Sequence, residues 1–403
     1  MPQPHHWPSI LLAALVPELA SAGALHVGGF GTLGLSCFSS DQADFVLNVQ
    51  PAGPGRSGRC DPRLDSLLAV QVDAQLTPVL EFGLQLTSDY NADGDFAPEP
   101  TVAQLRWHIS DAATLRLGRT HNPAFLYSES RNVRYAMPWV RPPLEVYGLL
   151  PTYTFDGAEI LSQGHWQGWH MEFQGSAAVA DIDNPRANAT GTDEAELKQA
   201  ALGLTLDQAD MLFKASYVRG RVSYSTPDLD ALFGALRSLG GAAGASLASD
   251  LDLDDSRYDL FALAARYETD RWLVLAEYGY RPIDDSFFRD MQGAYITVGR
   301  NIGVWMPYAT LAQRWTHGPD SDPRAGAFAP LVDTVLAATR FDSRSLSLGL
   351  SRPVHANATL KLQLDWIKPD DASWGLYTNH GSDYDYAHPD ADYLMSINLD
   401  FVF

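Results

Sequence analysis

The chain has 403 residues and a formal net charge of −21. That acidic balance excludes nucleic-acid binding, which needs clustered positive charge to displace counterions. Beyond the N-terminal leader no apolar window reaches the roughly 18 to 20 residues of a helical membrane span, so any membrane insertion must use strands.

Met1 to Ala22 carries a short apolar stretch, Ile10 to Val16, and ends in Ala20-Ser21-Ala22, the small-x-small pattern of a signal-peptidase site. Its n-region has His5 and His6 but no Lys or Arg. Residues 1–22 are therefore expected to be a cleaved signal peptide, and 23–403 a single exported unit with no linker. Export favours a disulfide between Cys37 and Cys60, with two free thiols as the alternative.

Strands follow in order. Leu68, Val70, Val72, Ala74 and Leu76 alternate with Ala69, Gln71, Asp73 and Gln75, and Thr77-Pro78 turns the chain. Leu80, Phe82, Leu84 and Leu86 then oppose Glu81, Gly83, Gln85 and Thr87, while Ala103, Leu105, Trp107 and Ile109 oppose Gln104, Arg106 and His108. After Asp111, Leu115 and Leu117 flank Arg116. Leu360, Leu362, Leu364 and Trp366 alternate with Lys361, Gln363 and Asp365, and the last strand runs to a terminal aromatic through Tyr393, Met395, Ile397, Leu399, Phe401 and Phe403. Period two with one apolar and one polar face suits a wall with lipid outside and water inside.

Sixteen such strands start near 25, 64, 79, 101, 114, 156, 167, 197, 211, 257, 271, 291, 303, 343, 358 and 391. Short turns alternate with long loops (37–63, 121–155, 180–196, 222–256, 317–342 and 369–390). That segregation predicts an antiparallel transmembrane β-barrel of about sixteen strands in a bacterial outer membrane, with short periplasmic turns and long extracellular loops. Trp166, Trp169, Trp272, Trp305 and Trp366 fall near strand ends, where amphipathic rings favour the interface. Two loops carry helical spacing: Thr226-Pro227-Asp228 through Leu239, with a Gly240-Gly241 stop, and Ala329 to Arg340.

Most motifs have plain readings. Gly29-x-Gly31-x-x-Gly34 meets the dinucleotide fingerprint formally but has no strand before it, and reads as close-packed strand glycines. Asp250-x-Asp252-x-Asp254 begins like a calcium loop, yet Asp255 stands where glycine should follow. Asp383, Asp385, Asp390 and Asp392 with His380 and His388 read as a solvated rim, so no metal and no cofactor are expected. Asn188-Ala189-Thr190 matches a glycosylation acceptor, without meaning in a bacterium. There is no G-x-S-x-G elbow, H-E-x-x-H or C-x-x-C. A barrel hydrolase remains an alternative, because a triad is defined by geometry that sequence hides. A structural or adhesive barrel with a closed lumen is another.

The segments Gly29-Phe30-Gly31-Thr32-Leu33-Gly34, Leu115-Arg116-Leu117-Gly118-Arg119, Asn132 to Gly148 and Lys361-Leu362-Gln363-Leu364-Asp365 together resemble the Gram-negative porin-like barrels, over essentially the whole mature chain. The resemblance implies a sixteen-stranded porin passing small hydrophilic solutes or ions, whose third long loop, here 121–155, folds into the lumen and narrows it. It also implies a homotrimer, a setting of outer-membrane lipid and lipopolysaccharide, and recognition of the terminal Phe403 strand by the barrel assembly machinery. Combined with strand parity, it assigns the constriction to Arg106, His108 and Arg116 on the wall, Glu129, Arg131, Arg134, Arg141 and Glu145 in the loop, and Glu159 just after it. Arg106 and Arg116 are expected to face Glu145 across the gap, setting a transverse field. Arg119 has lipid-facing parity, so it lies either at the aqueous rim or beside a bulge.

Overall fold

The computed structural model describes residues 25–403 apart from 48 and 190; the signal-peptide expectation for 1–22 lies outside them. Sixteen strands build the wall: β1 Leu25–Phe38, β2 Leu67–Thr77, β3 Leu80–Asp89, β4 Glu99–Ser110, β5 Ala113–His121, β6 Thr154–Trp166, β7 Trp169–Pro185, β8 Thr192–Gln208, β9 Met211–Tyr224, β10 Ser256–Glu268, β11 Trp272–Arg281, β12 Asp290–Arg300, β13 Met306–His317, β14 Ser343–His355, β15 Ala358–Pro369 and β16 Asp392–Val402. Each pairs antiparallel with its chain neighbours, and β1 pairs with β16 from Phe30↔Val402 to Phe38↔Leu394, closing the barrel. Closure leaves no strand edge to be satisfied in lipid.

The two faces of the wall are reversed relative to a water-soluble protein. Outward-facing Leu33 (63% exposed), Leu68, Leu117, Leu202, Leu263 (61%), Leu311, Leu348 and Met395 form an apolar surface on every side of the barrel. In water it would far exceed the few hundred Å² that monomers tolerate; hydrocarbon is the solvent it fits. Inward-facing Thr32, Ser36, Gln104, Gln174, Thr297, Thr310, Gln363 and Asn398 are polar and packed. Trp107, Trp166, Trp272 and Trp305 are exposed beside the short turns, as an interfacial girdle requires. Arg119 faces outward with no bulge at its position, and pairs with Asp156 (2.6 Å), so it is a rim residue.

The seam between β1 and β16 uses glycine for a specific reason. A side chain on Gly29 or Gly31 would strike the rings of Phe403 and Phe401, which lie across these positions. Phe403 itself trades two backbone hydrogen bonds with Gly29, N–H to O at 3.0 Å and O from N–H at 2.9 Å. Deleting Phe403 is expected to remove these bonds and the terminal aromatic together, and so to lower the folded barrel in the outer membrane severalfold; surface levels equal to the parent on quantitative blots would refute it.

Cys37 in β1 is joined to Cys60 in the loop 39–66. A bridge closing a loop of this size adds roughly 3 kcal/mol by restricting the unfolded chain. In the loop 225–255, Thr226 caps α1 Pro227–Leu239 by accepting from Leu229 N–H (3.2 Å). The chain turns at Gly240-Gly241 but then continues into α2 Gly241–Leu251, which the sequence reading took as a stop. Both helices pack against α3 Ala329–Ala337 through Phe233, Leu236, Leu247, Val332 and Leu336. Of the aspartates resembling a calcium loop, Asp250 is tied to Arg324 (2.5 Å) and Asp252 to Arg237, and Asp255 beside them to Arg221 (2.7 Å).

Candidate lumen site

The loop 122–153 leaves the end of β5 and returns to β6 at its starting point: His121 stacks on Tyr153 (6.2 Å), and Asn122 N–H donates to the Tyr153 carbonyl (2.9 Å). Between those ends it crosses the barrel interior, and inward side chains of the wall hold it at four places.

Near β9 and β11, Ser216 Oγ donates to the Ala124 carbonyl (2.5 Å) and Lys214 Nζ to that of Phe125 (3.0 Å). The Glu277 carboxylate of β11 accepts from Leu126 N–H (2.7 Å), Tyr147 Oη (2.8 Å) and Tyr295 Oη (2.6 Å), so its burial is offset by three donors. Against β12 and β13, Trp139 Nε1 donates to Thr297 (2.9 Å) and Thr310 (3.1 Å). A Cβ on Gly293 would fall on the Glu145 carbonyl, so glycine lets the loop backbone reach the wall there. Arg314 donates to the carbonyls of Leu144 and Glu145, and Ser345 Oγ to the Glu145 carboxylate (2.5 Å).

The strongest anchor is ionic. Arg141 reaches Asp65 (2.6 Å), Asp365 (3.2 Å), Ser36 (2.9 Å) and Ser396 (2.6 Å), while Arg134 takes the other Asp65 oxygen (2.8 Å). On β15, Lys361 pairs with Asp400 (2.8 Å) and donates to the loop carbonyls of Arg134 (2.5 Å) and Trp139 (3.0 Å). Gln363 beside it accepts from Val140 N–H (3.0 Å). Charges this buried persist only when fully paired, and each is paired here.

The nine residues singled out from sequence therefore divide. Arg131, Arg134, Arg141, Glu145 and Glu159 are packed, and Arg131 lies over the Tyr153 ring (4.3 Å). Arg106, His108, Arg116 and Glu129 remain in contact with water. Arg106 pairs with Asp73 and Glu81, and His108 approaches Glu81 (3.7 Å). Arg116 (side chain 20% exposed) pairs with Glu159 (3.0 Å) and with Glu129 (46% exposed, 3.1 Å), and Gln174 donates to both acids. The expected face-off with Glu145 is thus corrected: Glu145 sits with Ser345 and Arg314, and the loop acid that meets Arg116 is Glu129. Asp65, Asp73, Glu81, Glu277, Arg314, Lys361 and Asp365 were missed as site residues. Their signal was present, since each is a charge at lumen parity or at a strand end.

Over the mouth, Asn188 ties three loops together. It accepts from Arg56 (2.7 Å), donates to the His380 carbonyl (3.1 Å), and its N–H donates to Asn379 Oδ1 (2.8 Å), whose amide reaches Asp44 (2.9 Å). Its backbone is left-handed (φ 56°), a region asparagine tolerates. The β7–β8 and β15–β16 loops start half a circumference apart, so this knot spans the opening. Burial pushes the nearby His380 imidazole down to about 4, leaving it neutral at physiological pH.

No family model matches the sequence, and no curated protein matches it. Among solved structures it is similar to the outer membrane channel DcaP of Acinetobacter baumannii, at 10% identity over 94% of this chain and 98% of that one, TM-score 0.56. It is likewise similar to OmpF of Salmonella typhi in complex with daunomycin (10% identity, 95% and 98% covered, TM-score 0.54) and to an anion-selective porin from Comamonas acidovorans (12%, 94% and 100%, TM-score 0.53). Identities this low bear on the fold. The chain has the sixteen-stranded antiparallel barrel of outer-membrane porins, and its apolar belt and girdle place it in the bacterial outer membrane.

Proposed function

We propose that this barrel is a passive diffusion channel for small hydrophilic solutes or ions, narrowed by residues 121–155 and selective through the charges beside the loop. The observation that carries this reading is the solvated set Arg106, Arg116 and Glu129, aimed inward within a wall whose outer face is apolar. Oppositely charged groups across a narrow passage order water and sort solutes by charge and dipole. Swelling of proteoliposomes in isotonic sugars tests it: a pentose should enter quickly and a tetrasaccharide slowly. Equal exclusion of both would overturn the channel reading. The homotrimer expected from the resemblance should show as conductance steps grouped in threes.

A second reading, a barrel closed by its loops, is favoured by the knot at Asn188. The two readings separate on one variant. In a channel, Asn188→Ala should raise unitary conductance modestly, because the parent already conducts around the knot; conductance only in the variant would make the closed barrel the resting form. The hydrolase alternative has a thinner basis, Thr114 Oγ1 at 3.1 Å from His108 Nδ1 with Glu81 3.7 Å from its Nε2. Ser36, Ser216, Ser345 and Ser396 bond to carboxylates, a carbonyl, an arginine and one another, without a histidine as base.

A further inference from the structure

The loop divides the lumen unequally. Its anchors lie on β9, β11 to β16, β1 and the chain just before β2, and inward side chains of the far wall such as Thr297, Thr310, Lys361 and Asn398 are buried. Between the loop and the short turns, the inward acids and arginines that still touch water stand on β2 to β10. They fall into three sets of the same make. Arg106 of β4 pairs with Asp73 of β2 and with Glu81 of β3 (3.3 Å). Arg116 of β5 pairs with Glu159 of β6 (3.0 Å) and with Glu129 of the loop (3.1 Å). Arg266 of β10 lies between Asp207 of β8 (3.9 Å) and Glu268 (3.7 Å). Strand register sets His170, Asp207, Leu212 and Arg266 in one inward row, which places this third set inside the wall.

Six carboxylates thus share three guanidiniums. In each set the side chain most open to water is a carboxylate: Glu81 at 26% against 20% for Arg106, Glu129 at 46% against 20% for Arg116, and Glu268 at 57% against 32% for Arg266. An arginine held between two acids cancels one of them, and the other remains as an uncompensated charge toward the passage. The next inward row changes nothing in this balance. Lys214 and Glu172 stand in it with Thr205 between them, one charge of each sign, and the Lys214 ammonium is turned to the Phe125 carbonyl (3.0 Å).

We propose that the passage is cation-selective and that its solutes are small hydrophilic cations, protonated amines included. The inference rests on the channel reading above and supplies its substrate class. Unequal access to the two signs of charge carries it. Glu129 Oε2, Asp207 Oδ1 and Glu268 Oε1 accept no hydrogen bond among the described residues, so each is an open acceptor for a passing ammonium. An anion finds every guanidinium already facing two carboxylates. Charges set in a narrow, partly wet passage act on an ion more strongly than the same charges at an open rim.

The test is the reversal potential of the full barrel in a planar bilayer under a KCl gradient, repeated with methylammonium in place of K⁺. Either cation should pass about fivefold more readily than Cl⁻, and the preference should weaken at molar salt, where screening acts within about 3 Å. Asp207→Asn/Glu268→Gln should cut the ratio about threefold, while the charge-preserving Asp207→Glu/Glu268→Asp should keep it, with heat-modifiable gel migration as the check on folding. Glu268→Gln alone, at an exposed strand end, decides the matter if the double variant does not fold. A conducting parent that passes Cl⁻ as readily as K⁺ would overturn the inference and leave the channel reading standing. A folded, inserted parent that passes no current would overturn both. An unchanged ratio in the neutralised variants would overturn the assignment to these carboxylates, and exclusion of methylammonium would overturn the amines as solutes.

Discussion

Arg141→Met is expected to cost about 3 to 5 kcal/mol of barrel stability, the usual penalty for removing one partner of a buried ion pair. Asp365 loses its cation, Asp65 keeps only Arg134, and Ser36 and Ser396 lose a shared donor. The same change should loosen the loop segment near 131–141 from β1, β15 and β16, leaving Arg134 on Asp65 and Lys361 on the loop carbonyls, so unitary conductance should rise as the melting midpoint falls. Removing both charges, Arg141→Met with Asp365→Leu, should recover part of the loss, since a buried pair replaced by apolar groups of similar volume is often neutral. An Arg141→Met barrel that melts and conducts like the parent would show that the loop is held elsewhere, through Glu277 or Lys361.

The second large effect concerns selectivity. Arg116→Gln should shift the reversal potential toward cation preference, and Glu129→Gln should shift it toward anion preference. Each should alter the permeability ratio severalfold, on the order of 1 kcal/mol for a unit charge a few ångströms from a permeating ion in a partly wet passage. Glu145→Gln should change selectivity much less, because that carboxylate is packed against Ser345. Asp385→Asn, in an exposed extracellular loop, should also matter little, since bulk salt screens such a charge within about 8 Å. Reversal potentials that follow Glu145 or Asp385 but not Arg116 or Glu129 would relocate the constriction.

The barrel was legible because its two solvents write a simple pattern. Leu68, Val70 and Val72 against Ala69, Gln71 and Asp73 would suit a soluble sandwich as well, but the same alternation recurs strand after strand between short turns and long loops, and the strand starts read this way fall within a few residues of those observed. Parity also gave the direction of Arg106 and Arg116. It could not give their partners, which depend on how a loop of some thirty residues crosses the interior. Glu129 and Glu145 are both acids in that loop, and only the path through Glu277, Asp65 and Gly293 separates the solvated one from the packed one. The segment Lys361-Leu362-Gln363-Leu364-Asp365 makes the same point. Its alternation marks a strand, but that its three polar residues all hold the loop follows from tertiary contacts. The helix at Gly241–Leu251 was hidden for a local reason: two glycines read as a stop, although Gly241 (φ 64°) serves as the corner between two helices.

The central claim, that the barrel is an open channel narrowed by its third long loop, is tested most directly by single-channel recording of the refolded, heat-modifiable protein in a planar bilayer. The account predicts stepwise, ohmic conductance in the parent and larger steps in Arg141→Met. A correctly folded parent that inserts into the bilayer yet passes no current would contradict it.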